Sequence, residues 1–431
     1  MKNTIATAPR NAIAIKKRKY LHYGYRGVQE IARRLTKRAE TDRAVLYPVF
    51  DDSADLVNVL NRMAWFLPEP TIPTDCEIVL SVADHIDIEA AQESTPGGQA
   101  AYKMEHLPLE YVNRGKLESA AGVCELVIIW NADVRLSGTA LRNLPAVELV
   151  DPSYWSVTEA HTWGVVGDRL RSGVPNESPQ VFARLEERFK HTSRSYIFGT
   201  GPSLDDAMAF DLDDDSLKIV CNSIVRNKMM LDHIDPDILV FADPVFHFGP
   251  SRYAAQFRDD AIRAIREYDC TCIIPARHLS LMVGRYPETE FMALPTIRTD
   301  SPRFPMATDL HVMRTKNIMT LYMLPVASAL TDCVDIIGAD GREEDESYFW
   351  EHNESAQYDD EMMRSAVETH PSFFRDRIYT DYYEDHVATL EAMLEYGERQ
   401  DVRYRNLTHS YIPCLADRIV ADPHEHVAAD D

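Results

Sequence analysis

The sequence predicts an α/β protein of two domains, each built on a mostly parallel sheet. Three observations predict it. The chain has 431 residues, more than one compact core accommodates. Short apolar runs alternate with amphipathic stretches along most of its length, the pattern of βαβ units. The same pattern restarts after a charged stretch near residue 170, so two sheets are expected.

In chain order, residues 1–40 form a basic leader. Residues 1–38 hold eleven Lys/Arg against the single acid Glu30, a net of +10, whereas the whole chain carries −24. The other 393 residues therefore hold 34 basic and 68 acidic residues, a net of −34. The acidic body argues against wrapping nucleic acid, which needs a positive face. The leader mixes Lys and Arg with Ile, Leu, Tyr and Val, and two functions are open to it. It can lie on an anionic membrane surface, at about 1 kcal/mol per basic residue, or dock on an acidic protein body. Gly24 and Gly27 weaken a helix there.

The first α/β domain is expected over 41–165. Residues 44–50 read as a strand, Asp52-Ser53 as a cap, and the stretch to Phe66 as an amphipathic helix. Residues 77–82, 125–130 and 147–150 read as further strands, and Thr95-Pro96-Gly97-Gly98 as a loop. Residues 166–192 form the connecting helix, centred on Arg169 to His191. The second domain, 193–420, has apolar runs at 195–198, 218–221, 238–241, 272–274, 334–337 and 402–404. Residues 421–431 are a polar tail. Both domains are thus expected to be Rossmann-like.

The seven cysteines are an odd number, spread thinly and mostly inside apolar runs, which predicts buried thiols in a reducing compartment. Cys270 and Cys272 are too close for a zinc pair, so no metal site is expected. No run of 18 apolar residues exists to span a membrane, and no secretory signal opens the chain. The expected location is the cytoplasm, with the leader placing the protein peripherally on the inner membrane face.

The most informative stretch is Gly199-Thr200-Gly201-Pro202-Ser203-Leu204. It follows a strand, its glycines permit close backbone approach, and its Pro-Ser pair can open a helix whose N-terminus would face a phosphate. It is neither a Walker A loop nor a complete dinucleotide fingerprint. A tight strand-to-helix turn explains it equally well. Three other strand ends carry polar residues: Asn222, Asp243, and Asp340 within Gly338-Ala339-Asp340-Gly341-Arg342. Carboxyl ends of parallel strands are where such sheets bind ligands.

These motifs, in this order, resemble the bacterial sialyltransferases of glycosyltransferase family 42. They also resemble the related domain of motility accessory factors and of archaeal 6-hydroxymethylpterin diphosphokinases. The likeness covers about 195–415. It implies a sialyltransferase-like second domain in which Gly199, Thr200, Gly201, Pro202, Ser203, Asn222, Asp243, Gly338 and Asp340 bind the nucleotide. The family loop is usually Gly-Asn-Gly-Pro-Ser, so Thr200 departs from it. Of the family's two phosphate-binding tyrosines, the first falls on Arg342 and the second on Tyr348. The family's catalytic histidine, about two dozen residues beyond the second tyrosine, falls on His370, with His352 and His386 as competitors. A guanidinium at 342 would stabilise a leaving phosphate in place of a phenol.

The implied reaction is metal-independent, inverting transfer from a nucleotide-activated sugar, of the CMP-linked acidic class, to a glycan or lipid-linked glycan. It needs no cofactor. Two alternatives stay open. One is diphosphate transfer from ATP to a pterin alcohol, which would need Mg²⁺ held near Asp243 and Asp340. The other is a non-catalytic nucleotide- or glycan-binding scaffold. The many acids between Arg342 and Asp360 oppose an anionic donor unless they face away.

Overall fold

The computed structural model describes residues 43–47, 49–67, 77–88, 107–121, 124, 126–130, 147–150, 163, 166, 176–342, 358, 360–370 and 379–420. The basic leader, the loop at Thr95–Gly98, Tyr348, His352 and the C-terminal tail lie outside these residues. The chain divides into two compact units, each with a Rossmann-like parallel sheet. Unit 1 takes Met1–Val174, Pro244–Ala254 and Glu361–Arg377; unit 2 takes Pro175–Asp243, Ala255–Asp360 and Ile378–Asp431. Two stretches that the sequence reading ran on with the second domain, 244–254 and 361–377, therefore group with unit 1.

Unit 1 contains β1 (Arg43–Tyr47), β2 (Glu77–Leu80), β3 (Leu109–Tyr111), β4 (Leu126–Trp130) and β5 (Val147–Val150). They pair in parallel in the order β3-β2-β1-β4-β5. Four residues of β1 and all five of β4 are buried, as expected where a parallel sheet is covered on both faces. Helix α1 (Ser53–Phe66) starts where expected: the Asp52 carboxylate accepts from the Ala54 N–H at 2.7 Å, satisfying one of the unpaired donors of the first turn. Its Trp65 indole donates to the Phe248 carbonyl at 2.7 Å, and Phe66 stacks on Trp163 with centroids 6.2 Å apart.

Unit 2 opens with helix α2 (Ser178–Phe189), started by a proline in its first turn; it falls in the later part of the connecting helix expected, of which 167–175 lie outside the described residues. The strands are β6 (Arg194–Phe198), β7 (Leu217–Cys221), β8 (Ile238–Val240), β9 (Thr271–Pro275), β10 (Phe291–Leu294), β13 (Cys333–Ile337) and β14 (Arg403–Asn406). They form one parallel sheet in the order β10-β9-β8-β7-β6-β13-β14. A separate parallel ribbon pairs β11 (Thr296–Ile297) with β12 (Val312–Met313). Helix α3 (Tyr379–Glu398) precedes β14. The apolar faces of α2, the sheet and α3 merge in one core, with Phe182, Ile219, Val334 and Met393 among its buried members.

The strand order sets the site. From β6 the chain winds outward through β7 to β10, and it later returns to β13 on the other side of β6. The carboxyl ends of β6 and β13 therefore flank the point where the winding reverses, the position at which open α/β sheets bind ligands.

Candidate functional site

The loops after β6 and β13 are bonded to each other. Gly199 N–H donates to the Ile337 carbonyl at 2.8 Å and Gly201 N–H to the Gly338 carbonyl at 2.9 Å. Both glycines are sterically required here. A Cβ on Gly199 would stand 2.3 Å from the Gly338 oxygen, and one on Gly201 2.1 Å from Asp340 Oδ2. Gly338 itself has φ +70°, a conformation that side chains rarely tolerate.

Pro202 and Ser203 open a 3₁₀ helix, Pro202–Ala209, rather than an α-helix. Its N-terminus faces a carboxylate: Ser203 N–H donates to Asp340 Oδ1 at 3.1 Å, and Ser203 Oγ–H to Oδ2 at 2.9 Å. A phosphate at that point would meet the Asp340 charge. The loop is thus suited to hydroxyls that Asp340 can accept from, as an acidic residue does with a ribose in dinucleotide sites. Asp340 is buried, and burial raises its carboxyl pKa above the ordinary range, opposed by the two Ser203 bonds and by the charge of His409.

A third loop, after β14, completes this side. Gly338 N–H donates to Thr408 Oγ at 3.0 Å, Ser410 Oγ–H to the Ala339 carbonyl at 2.8 Å, and Tyr411 N–H to the Asp340 carbonyl at 2.7 Å. His409 is held between these anchors, exposed, with its ring edge-on to Tyr411 at 4.5 Å. Arg342 lies 4.6 Å over the Tyr383 ring, and its N–H donates to the Tyr383 hydroxyl at 3.4 Å.

Asn222 directly follows β7 with φ 51°, one of four non-glycine residues in the left-handed region among the described residues. Asparagine tolerates this conformation best after glycine. Asp243 follows β8, part-exposed, near Arg277. The sequence-predicted Gly199, Gly201, Ser203, Gly338 and Asp340 are thus bonded into one group, with Arg342 two residues further along.

His370 belongs to unit 1. It is 1% exposed, next to Thr369, whose carbonyl accepts from Arg62 Nη2 at 2.6 Å. A Cβ on Gly249 would lie 2.7 Å from its Nε2. Burial, aided by the Arg62 charge, holds its pKa well below the ordinary histidine range. His386, in α3, is also buried and lowered to about 4.

Sequence reasoning missed His409, Arg277 and Arg314. His409 carries no local signature, and the arginines follow strands too short or too far apart in sequence to be connected by pattern. No known protein-family pattern matches the chain, and no curated protein matches it. Among the described residues, no group of three or more His, Cys, Asp or Glu is arranged to hold a metal ion, and no helix is long and apolar enough to cross a membrane.

Proposed function

We propose that unit 2 binds a nucleotide-activated sugar along the carboxyl edge of its seven-stranded sheet and transfers the sugar, with inversion and without a divalent metal, to a hydroxyl of a glycan. The donor class is a CMP-linked acidic sugar, and the acceptor a surface polysaccharide or lipid-linked glycan. The observation that carries this reading is the bonding of Ser203 to Asp340 across the reversal point of the sheet. Those loops hold the residues whose order resembles the sialyltransferases of glycosyltransferase family 42.

In this reading the 199–204 loop, Asn222 and Asp340 hold the sugar hydroxyls of the nucleotide. Arg342, with Tyr348, neutralises the phosphate as it leaves. The acceptor oxygen attacks the anomeric carbon, the bond from that carbon to the phosphate oxygen breaks with its electron pair, and the acceptor proton passes to an imidazole. We assign that imidazole to His409 rather than His370. His409 is exposed beside Asp340, whose carboxylate stabilises the imidazolium formed, whereas the buried His370 ring resists protonation.

Thermal denaturation with nucleotides tests the reading. CMP or CDP should raise the melting temperature in the presence of EDTA. Stabilisation by ATP with Mg²⁺ alone would favour diphosphate transfer, and the absence of any nucleotide effect would favour a scaffold.

A further inference from the structure

We infer that Arg277, Arg298 and Arg314 form a second anion-binding subsite on unit 2, apart from the Gly199–Asp340 loops and built for a phosphoryl group carried by the glycan acceptor.

All three arginines lie just beyond carboxyl ends of strands. Arg277 sits in a 3₁₀ turn, Ala276–His278, directly after β9. Arg298 and Arg314 follow β11 and β12, whose register pairs Ile297 with Met313, and Arg314 N–H donates to the Ile297 carbonyl at 2.9 Å. The two arginines thus occupy neighbouring positions at one end of a parallel ribbon. Like charges set side by side on paired strands oppose each other, and an anion between them would relieve that repulsion.

The three arginines are exposed, in a protein of net charge −24. Nearby cations find carboxylates: Arg303 pairs with Asp309, and Lys316 with Asp385. Among the described residues, Arg277, Arg298 and Arg314 form no ion pair. The Arg277 Nε–H donates to His278 Nε2 at 3.3 Å, which fixes the stem of the guanidinium and leaves its forked Nη groups to face a ligand. β9 pairs with β10 so that Pro275 lies opposite Leu294, which sets Arg277 beside the end of β10 that leads into β11 and Arg298. Two guanidinium forks near each other match the oxygens of a phosphoryl group.

The subsite is distinct from the nucleotide loop. The end of β9 is three strand spacings from the end of β6, about 14 Å, too far for one phosphate to touch both. The Asp340 carboxylate occupies the Ser203 end of the loop, so the loop meets a nucleotide through its hydroxyls, whereas the arginines attract a phosphoryl group. On the glycosyl-transfer reading proposed above, on which this assignment rests, a ligand at the arginines belongs to the other end of the reacting pair, the acceptor.

The probes are inorganic phosphate, inorganic pyrophosphate and a sugar 1-phosphate, titrated calorimetrically at low ionic strength into the full chain. Pyrophosphate should bind the native protein, and Arg277→Ala with Arg314→Ala should weaken it on the order of a hundredfold, tenfold per charged contact. The exposed Arg298→Ala, which leaves the fold intact, should weaken it less. A sugar 1-phosphate binding more tightly than inorganic phosphate through the same arginines supports an acceptor-borne phosphoryl group. Equal or weaker binding overturns the acceptor assignment, and unchanged pyrophosphate affinity in the double variant overturns the subsite. CMP titrated separately reports on the loop, so failure of the nucleotide reading and failure of this subsite give different results.

Discussion

The Ser203 hydroxyl donates to Asp340 Oδ2 at 2.9 Å, joining two loops 137 residues apart in sequence. The same carboxylate accepts from the Ser203 N–H, so one side chain both ends the β13 loop and caps the helix after β6. Removing the hydroxyl leaves Asp340 short of a charge-assisted bond in a buried position, a loss of about 1.5–3 kcal/mol. Ser203→Ala should lower stability by that amount in urea titrations and weaken CMP binding. Gly201→Ala should be worse, because its Cβ would stand 2.1 Å from the same oxygen and drive the loops apart. Native stability in both variants would show that the loops are held by something else.

His409 and His370 make opposite predictions for catalysis. If His409 accepts the proton, His409→Ala should lower kcat by about 10²–10⁴ while leaving CMP affinity in place, the range seen for general bases. The His370 ring is buried and packs beside Gly249 and Arg62. Its replacement by Asn should lower the melting temperature with kcat retained in the folded fraction. Full turnover in His409→Ala, with loss in a folded His370→Asn, would return the role to His370.

What could be read from the sequence follows physical lines. Strands buried on both faces stand out from their surroundings: Leu126–Trp130 is an unbroken apolar run, and Cys333–Ile337 is one interrupted only by Asp335. Leu109–Tyr111 is part-exposed and only three residues long, and the two-residue strands of the ribbon carry no pattern at all. The glycines at 199, 201 and 338 were legible because close approach leaves no other choice. The placement of Asp340 at the helix end depends on a pairing between distant strands, and no local spacing encodes it. For the same reason 244–254 and 361–377 read as parts of the second domain: their grouping with unit 1 rests on contacts such as Trp65 to Phe248.

Arg405 and Asp335 form a bidentate pair between β14 and β13, with Nε to Oδ1 at 2.6 Å and Nη2 to Oδ2 at 2.5 Å. Asp335 is fully buried, and Arg194 of β6 adds a contact at 3.8 Å. The pair fixes β13 against its neighbours below the loop that carries Asp340. Arg405→Met leaves the carboxylate with only the distant Arg194 and should cost about 3–5 kcal/mol, whereas adding Asp335→Leu should recover much of that, because the fully buried charge is gone and the part-exposed Arg194 can be solvated. Urea midpoints of the single and double variants decide it. A double variant no more stable than the single would mean that the pair stabilises through packing rather than charge.

His386 gives unit 2 a pH dependence with a definite sign. Burial lowers its pKa to about 4 in the folded protein, against about 6.5 when unfolded. The depressed value means that the unfolded chain binds a proton the folded chain refuses. The associated stability is fully present above pH 6.5 and is lost as pH falls toward 4. At pH 5.5 the loss from this residue alone is about 1.4 kcal/mol, rising to about 3 kcal/mol at lower pH. Urea unfolding followed at pH 7.5 and 5.5 isolates it: the wild-type free energy should fall by about 1.4 kcal/mol more than that of His386→Gln, which cannot titrate. Equal falls in the two proteins would mean that the His386 imidazole takes up its proton without unfolding, through an opening of α3 that the buried position does not suggest.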